Sequence, residues 1–124
     1  MIAKNILELI GNTPLVQFNN VYNKPKLKMY IKMEKFNVSE SVKDRIAKYM
    51  IEHAEKNRQL NKNKILIEPT SRNTGIGLSL VCRIKGCQQV IVMPETMTLE
   101  RRKILKCLWR QNYSKSRIKR NGWC

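Results

Sequence analysis

Acidic residues run out early in this chain. All nine aspartates and glutamates lie at or before Glu100, so residues 101–124 carry nine lysines and arginines against none. Histidine occurs once, at His53, and the four cysteines (82, 87, 107 and 124) form no C-x-x-C pair. That spacing speaks against a structural zinc site and against a disulfide framework, and no metal is expected. Glycine and proline are scarce, five and four in 124 residues, while 42% of the chain is hydrophobic and 27% charged. Collagen-like, low-complexity and disordered readings are excluded by that balance. Apolar runs such as Val90-Ile91-Val92-Met93 fall far short of the ~20 residues a bilayer span needs. The start, Met1-Ile2-Ala3-Lys4-Asn5, has no apolar leader segment. A soluble, cytoplasmic chain of one domain is expected.

What is present is unevenly spread. The formal charge is +16, yet residues 1–100 hold 16 basic and nine acidic side chains, a net of only +7. Trp109, Trp123, Cys107 and Cys124 all fall in the basic last stretch. The composition therefore changes near residue 106.

Along the first hundred residues, two periods alternate. Leu27 to Glu34 alternates apolar and polar side chains as a strand does. Ser41-x-x-Asp44 has the form of a capping box, with Ser41 as N-cap. Behind it Ile46, Ala47, Met50, Ile51 and Ala54 share one helical face. Ile65-Leu66-Ile67 reads as a short strand ending at Pro69. Ile76 to Ile84 reads as a helix closed by Lys85-Gly86. Val90 to Met93 predicts another strand, and Thr98 to Leu105 opens a basic helix. Asn19 to Lys26 resembles a linker. Strand and helix alternating at this spacing predict an α/β fold of βαβ units on a parallel sheet. Sites in such sheets lie beyond the carboxyl ends of the strands, and two polar turns occupy that place: Asn37 to Lys43 and Pro69 to Gly77.

Each turn carries chemistry. With Ser41 as N-cap, Lys43 stands at the second helical position, beside unpaired N–H groups and the positive end of the helix dipole. A cation there is disfavoured by up to ~1 kcal/mol, which favours the free amine that attacks carbonyls. A solvated surface lysine is the plain alternative. In the second turn, Glu68-Pro69-Thr70-Ser71-Arg72-Asn73-Thr74-Gly75-Ile76-Gly77, hydroxyls, an amide and backbone N–H groups meet at a helix start. Those are the groups that grip a carboxylate or phosphate. The turn lacks the G-K-[ST] ending of a P-loop and the G-x-G-x-x-G of a dinucleotide fold, and an ordinary capped strand–helix turn is its plain alternative.

Taken in order, Asn12-Thr13-Pro14-Leu15-Val16, Ser41-Val42-Lys43-Asp44-Arg45-Ile46-Ala47, the Glu68–Gly77 turn, Met93-Pro94-Glu95-Thr96-Met97 and Glu100-Arg101-Arg102-Lys103 resemble cysteine synthase (O-acetylserine sulfhydrylase). That family belongs to the fold-type II, tryptophan synthase β-like, pyridoxal-phosphate enzymes. The resemblance covers residues 1 to about 106. It implies pyridoxal 5'-phosphate as cofactor, with Lys43 as its Schiff-base lysine and Asn73 contacting the cofactor ring hydroxyl and substrate. Thr70, Ser71, Asn73 and Thr74 are implied to bind the substrate carboxylate. The implied reaction replaces the acetate of O-acetylserine by sulfide to give L-cysteine, with Lys43 removing the α-proton. Family members are typically homodimers.

This sequence departs from the family pattern in three places. Val38 stands where proline is usual, and Arg72 where glycine is usual. If position 72 needs a left-handed backbone, Arg costs ~1–2 kcal/mol there. Its side chain must also find room beside the carboxylate, although a guanidinium could instead attract that group. After Lys106, Cys107-Leu108-Trp109-Arg110 has neither the family's leucine-glycine-alanine nor its strand pattern. With permitted codons, residues 108–124 read one base later give YGAKIILKAELKGMDG, which has the glycine-alanine, an apolar strand and a following acidic segment. Residues 1–106 are therefore expected to be the family portion and 107–124 an aberrant basic tail following a one-base lesion. The family's phosphate-binding loop has no counterpart in the matched residues, and little or no activity is expected of this chain by itself.

Other functions share some of these residues. Cystathionine synthase or a serine dehydratase shares the S-V-K-D-R and T-S-x-N-T-G segments in part. The basic stretch Arg101 to Arg120 could hold nucleic-acid phosphate non-specifically, but no recognised module frames it and its tryptophans are too irregular for a stacking platform. No sustained apolar face supports membrane binding.

Overall fold

Antiparallel pairing joins strand β1 (Leu15–Gln17) to β2 (Tyr30–Lys32), with Val16 opposite Ile31. The computed structural model describes residues 2–18, 27–70, 72–93 and 98–108. Ser71, the Asn19–Lys26 stretch, residues 94–97 and most of the basic tail lie outside the described residues. The β1–β2 pair is a sheet of its own, exposed along both strands. The strand expected at residues 27–34 thus forms, but shorter. It joins this hairpin and not the parallel sheet.

A 3-10 turn at Glu34–Phe36 leads from β2 into the first polar turn, and helix α1 (Lys43–Lys56) follows. Val42 already has helical angles (φ −58°, ψ −19°), and Ser41 Oγ accepts the Lys43 N–H at 3.1 Å. Ser41 therefore performs the N-cap, one residue ahead of the assigned start. The reciprocal half of the box is displaced. The Asp44 carboxylate, fully buried, accepts from the Ser39 N–H at 2.7 Å and from the Ser39 hydroxyl, and so closes the turn two residues before the cap.

Ala47 and Ile51 put α1 into the core, at 0% and 1% exposure, while Ile46 and Met50 on the same apolar stripe remain 41% and 45% exposed. The core gathers Leu7, Ile10, Ala47, Ile51, Leu60, Leu78, Val81 and Cys82, with Ala54 and Leu66 against its edge. Burying each large aliphatic side chain contributes roughly 1.5–3 kcal/mol, so this α1–α2 seam holds the fold together.

Strand β3 (Ile65–Pro69), helix α2 (Asn73–Lys85) and strand β4 (Gln88–Val92) form one βαβ unit. β3 and β4 pair in parallel, Ile67 against Val90. Ile65 and Ile67 are 44% and 65% exposed, so the sheet has an uncovered apolar face. Helix α2 begins at Asn73, so the second polar turn is shorter than its composition suggests: Gly75 and Gly77 are helical. Their use is close approach. A Cβ on Gly77 would lie 3.2 Å from the Lys43 carbonyl oxygen and from Ala47 Cβ, so α2 meets α1 at Lys43. Helix α3 (Leu99–Leu108) packs on α2, burying Leu105, and passes residue 106 without interruption. Among the described residues, no helix is long and apolar enough to cross a membrane.

Candidate active site

Two helix starts face one another through a single hydroxyl. Asn73, the first residue of α2, donates from Nδ2 to Ser41 Oγ at 3.3 Å, while that oxygen caps α1. The two polar turns, 32 residues apart in sequence, are thereby one place in the fold. Lys43 sits half-buried at the start of α1, and its amine makes no hydrogen bond or ion pair among the described residues. Thr70 extends the pairing of β3, donating its N–H to the Val92 carbonyl at 3.0 Å. Its hydroxyl accepts from the Arg72 N–H at 3.3 Å, and its methyl covers Gly75. Thr74 follows Asn73 in the first turn of α2, half-buried. No hydrogen bond joins the Lys43 amine to Thr70, Asn73 or Thr74, and Ser71 lies outside the described residues.

Arg72 has φ −134° and ψ −162°. That is extended backbone, so arginine is not strained there and the suspected left-handed cost is absent. It occupies the N-cap position of α2 and makes no side-chain cap.

A network that the spacing of motifs did not reveal ties the first turn of α1, through Arg45, to Glu34 and Thr13. Arg45 donates to Glu34 through Nε (2.9 Å) and Nη2 (3.0 Å), and Nη2 also reaches Thr13 Oγ1 at 3.0 Å. Thr13 donates to Glu34 Oε1 at 2.9 Å, and Asn37 Nδ2 donates to Glu34 Oε2 at 2.7 Å. Asn37 Oδ1 in turn accepts the Gly11 N–H at 2.9 Å. The Arg45 hydrogen bonds, followed by those of Thr13 and Asn37, outweigh burial and hold the Glu34 carboxyl down to about 2. Thr13 and Arg45 each belong to a motif singled out in sequence, but Glu34 carried no signal beyond its place at the end of a strand.

The donor set is therefore the amine of half-buried Lys43, without a partner among the described residues, an amide and two hydroxyls at paired helix starts. It fits a ligand bearing an aldehyde and an acidic group: the amine can take the aldehyde, and the helix starts favour the anion. The same chemistry defines a class, and comparison with known proteins agrees. Residues 6–109 match the model of the family described as "Pyridoxal-phosphate dependent enzyme", and the chain belongs to that family, whose cofactor is pyridoxal phosphate.

Within it the chain is cysteine synthase-like. A cysteine synthase of Flavobacterium sp. is 54% identical over 103 residues, covering 83% of this chain and 33% of that one. The crystal structure of O-acetylserine sulfhydrylase isoform 3 from Entamoeba histolytica superposes with a TM-score of 0.81 at 43% identity, over 87% of this chain and 33% of that one. A cystathionine beta-synthase of Dictyostelium discoideum is 47% identical over 108 residues, covering 87% of this chain and 22% of that one. The chain thus spans about a third of the length of the first two, and its mixed helix and strand fold is the corresponding portion of the fold-type II architecture.

Proposed function

We propose that this chain carries the amine-bearing portion of a cysteine synthase, the enzyme that replaces the acetate of O-acetylserine by sulfide. The observation that supports this best is the Asn73–Ser41 hydrogen bond, which puts the Lys43 segment and the carboxylate-type turn in one site. In this reading Lys43 holds the cofactor and, once released, moves the substrate α-proton. Asn73 orients the cofactor ring and substrate, and Thr70, Ser71, Asn73 and Thr74 bind the substrate carboxylate. When bound, pyridoxal phosphate supplies the electron sink for the carbanion. The protein supplies orientation and proton transfer. A cytoplasmic location and a homodimer belong to the same proposal.

The division at residue 106 is also a proposal: residues 1–106 as the family portion and 107–124 as a tail read out of frame. Its support is that the family match ends at residue 109, shortly after Lys106, together with the family-like string one base away. The nucleotide sequence across codons 106 and 107 decides it, and an intact frame with no such string would refute it.

The function is tested by grafting residues 1–106 into the Flavobacterium cysteine synthase in place of its own matching segment. The graft should form cysteine from O-acetylserine and sulfide, and Lys43→Ala in it should abolish turnover. The 124-residue chain by itself, the control, is expected to form none. A graft that turns over homocysteine but not sulfide would favour the cystathionine synthase reading, for which the Dictyostelium relative is the support.

A further inference from the structure

The C-terminus of α2 brings two thiols together by backbone geometry. Gly86 adopts φ 76° and ψ 21° and donates its N–H to the Cys82 carbonyl, and the Cys87 N–H reaches the same carbonyl at 3.0 Å. This six-to-one closure through a left-handed residue follows the Schellman pattern, in which, with Lys85 as the cap, the side chain three places before the cap touches the one two places after it. Here those two side chains are Cys82 and Cys87, and Cys87 packs against the core cluster that contains Cys82. Cys82 is 1% exposed and Cys87 half-buried. The Cys87 thiol lies 4.0 Å from Glu55 Oε1, and Glu55 Oε2 accepts from Lys85 Nζ at 2.7 Å. Two free thiols thus meet where α2 hands over to β4, away from the helix starts that form the active site.

We propose that Cys82 and Cys87 are a redox pair that closes to an intrachain disulfide when a low-molecular-weight disulfide oxidant is supplied. Cys87, the accessible member, attacks the oxidant, forming a mixed disulfide and releasing one small thiol. Cys82 then attacks the Cys87 sulfur, forming the Cys82–Cys87 bond and releasing the second small thiol. Two protein thiols are oxidised, the oxidant's disulfide is reduced, and their two protons end on the released thiols. Burial pushes the Cys82 thiol up to about 12 and raises that of Cys87 as well, so the order of the steps rests on access: Cys87 meets the oxidant, and Cys82 follows because its target is then adjacent. The product staples the end of α2 to the start of β4.

The test uses the native 124-residue chain, oxidised glutathione, alkylation of remaining thiols and trypsin digestion. Cleavage after Arg83 and Lys85 separates the cysteines, so closure links peptides 73–83 and 86–101 into one species, two hydrogens lighter than their reduced sum. The linked pair should be the main product, in preference to any link to Cys107. It should form several-fold faster relative to mixed-disulfide formation in the native chain than in concentrated urea. In Cys82→Ser, glutathione should persist on Cys87. Alkylation of both Cys82 and Cys87 after oxidation, a persistent adduct on Cys87 with Cys82 free, equal linkage to Cys107, or closure no faster than in urea would each overturn the proposal.

Discussion

Ser41 Oγ accepts two donors at once, the Lys43 N–H at 3.1 Å and the Asn73 amide at 3.3 Å. One atom thus caps α1 and ties the start of α2 to it, at the place where the Lys43 carbonyl and Gly77 are in close approach. The backbone at the start of α1 is held by this hydroxyl, while Arg45, two residues beyond Lys43, is bound to Glu34 and Thr13.

Removing that hydroxyl should therefore cost more than a surface cap. Ser41→Ala is expected to lower stability by about 1–2 kcal/mol, from loss of the cap and of the Asn73 bond. Ser41→Thr should recover most of it. Urea unfolding of the three chains checks this, and a loss below about 0.3 kcal/mol in the alanine variant would contradict the assigned cap.

Glu34 gives a pH signature. Its folded carboxyl is held at about 2, against an ordinary value of 4.5. A depressed acid contributes stability that is complete above its unfolded value and is lost as pH falls through the folded one. Stability should therefore fall between about pH 4.5 and 2, and Glu34→Gln should flatten that slope while lowering stability at neutral pH. Denaturation midpoints measured across this range, in both chains, give the comparison. An unchanged slope would show that Glu34 is not the group responsible.

The structure also shows which features the sequence made legible. The body of α2 from Ile76 to Ile84, the Gly86 stop, the strand before Pro69 and the cap at Ser41 follow from local pattern, since each depends on neighbours within a few residues, whereas the first turn of α2 at Asn73 read as part of the polar turn. Partnering is non-local, and there the pattern was silent. Nothing in Leu27 to Glu34 tells that β2 pairs with Leu15–Gln17 and not with β3. Likewise nothing local sends Asp44 back to Ser39 or gathers Glu34, Arg45 and Thr13. Of the site, Lys43 and Asn73 were readable because helix starts have sequence signatures, whereas the clamp around Glu34 spans three separate segments.

Ser79 is a defect open to repair. It is fully buried in α2 and its hydroxyl has no hydrogen-bond partner among the described residues. An unsatisfied buried hydroxyl costs about 1–3 kcal/mol, and alanine is also the better helix former. Ser79→Ala should raise stability by about 1 kcal/mol, read as a higher urea midpoint at unchanged slope. A destabilised variant would mean that the hydroxyl has a partner in solution, such as a bound water.

Arg72 offers the sharpest contrast between resemblance and geometry. The family pattern puts glycine there, and a left-handed requirement would make Arg72→Gly stabilising. The observed φ of −134° removes that requirement, so glycine gains nothing from strain relief. It also frees the unfolded chain, by about 0.4–1 kcal/mol, partly offset because glycine is an acceptable N-cap. Arg72→Gly should therefore shift stability by less than about 0.5 kcal/mol. Arg72→Asn keeps an extended backbone, supplies the missing cap and removes a cation from the positive end of α2, and should gain about 1 kcal/mol. Paired urea titrations of the two variants separate the accounts: a gain above about 1 kcal/mol for glycine, with none for asparagine, would restore backbone strain as the cause.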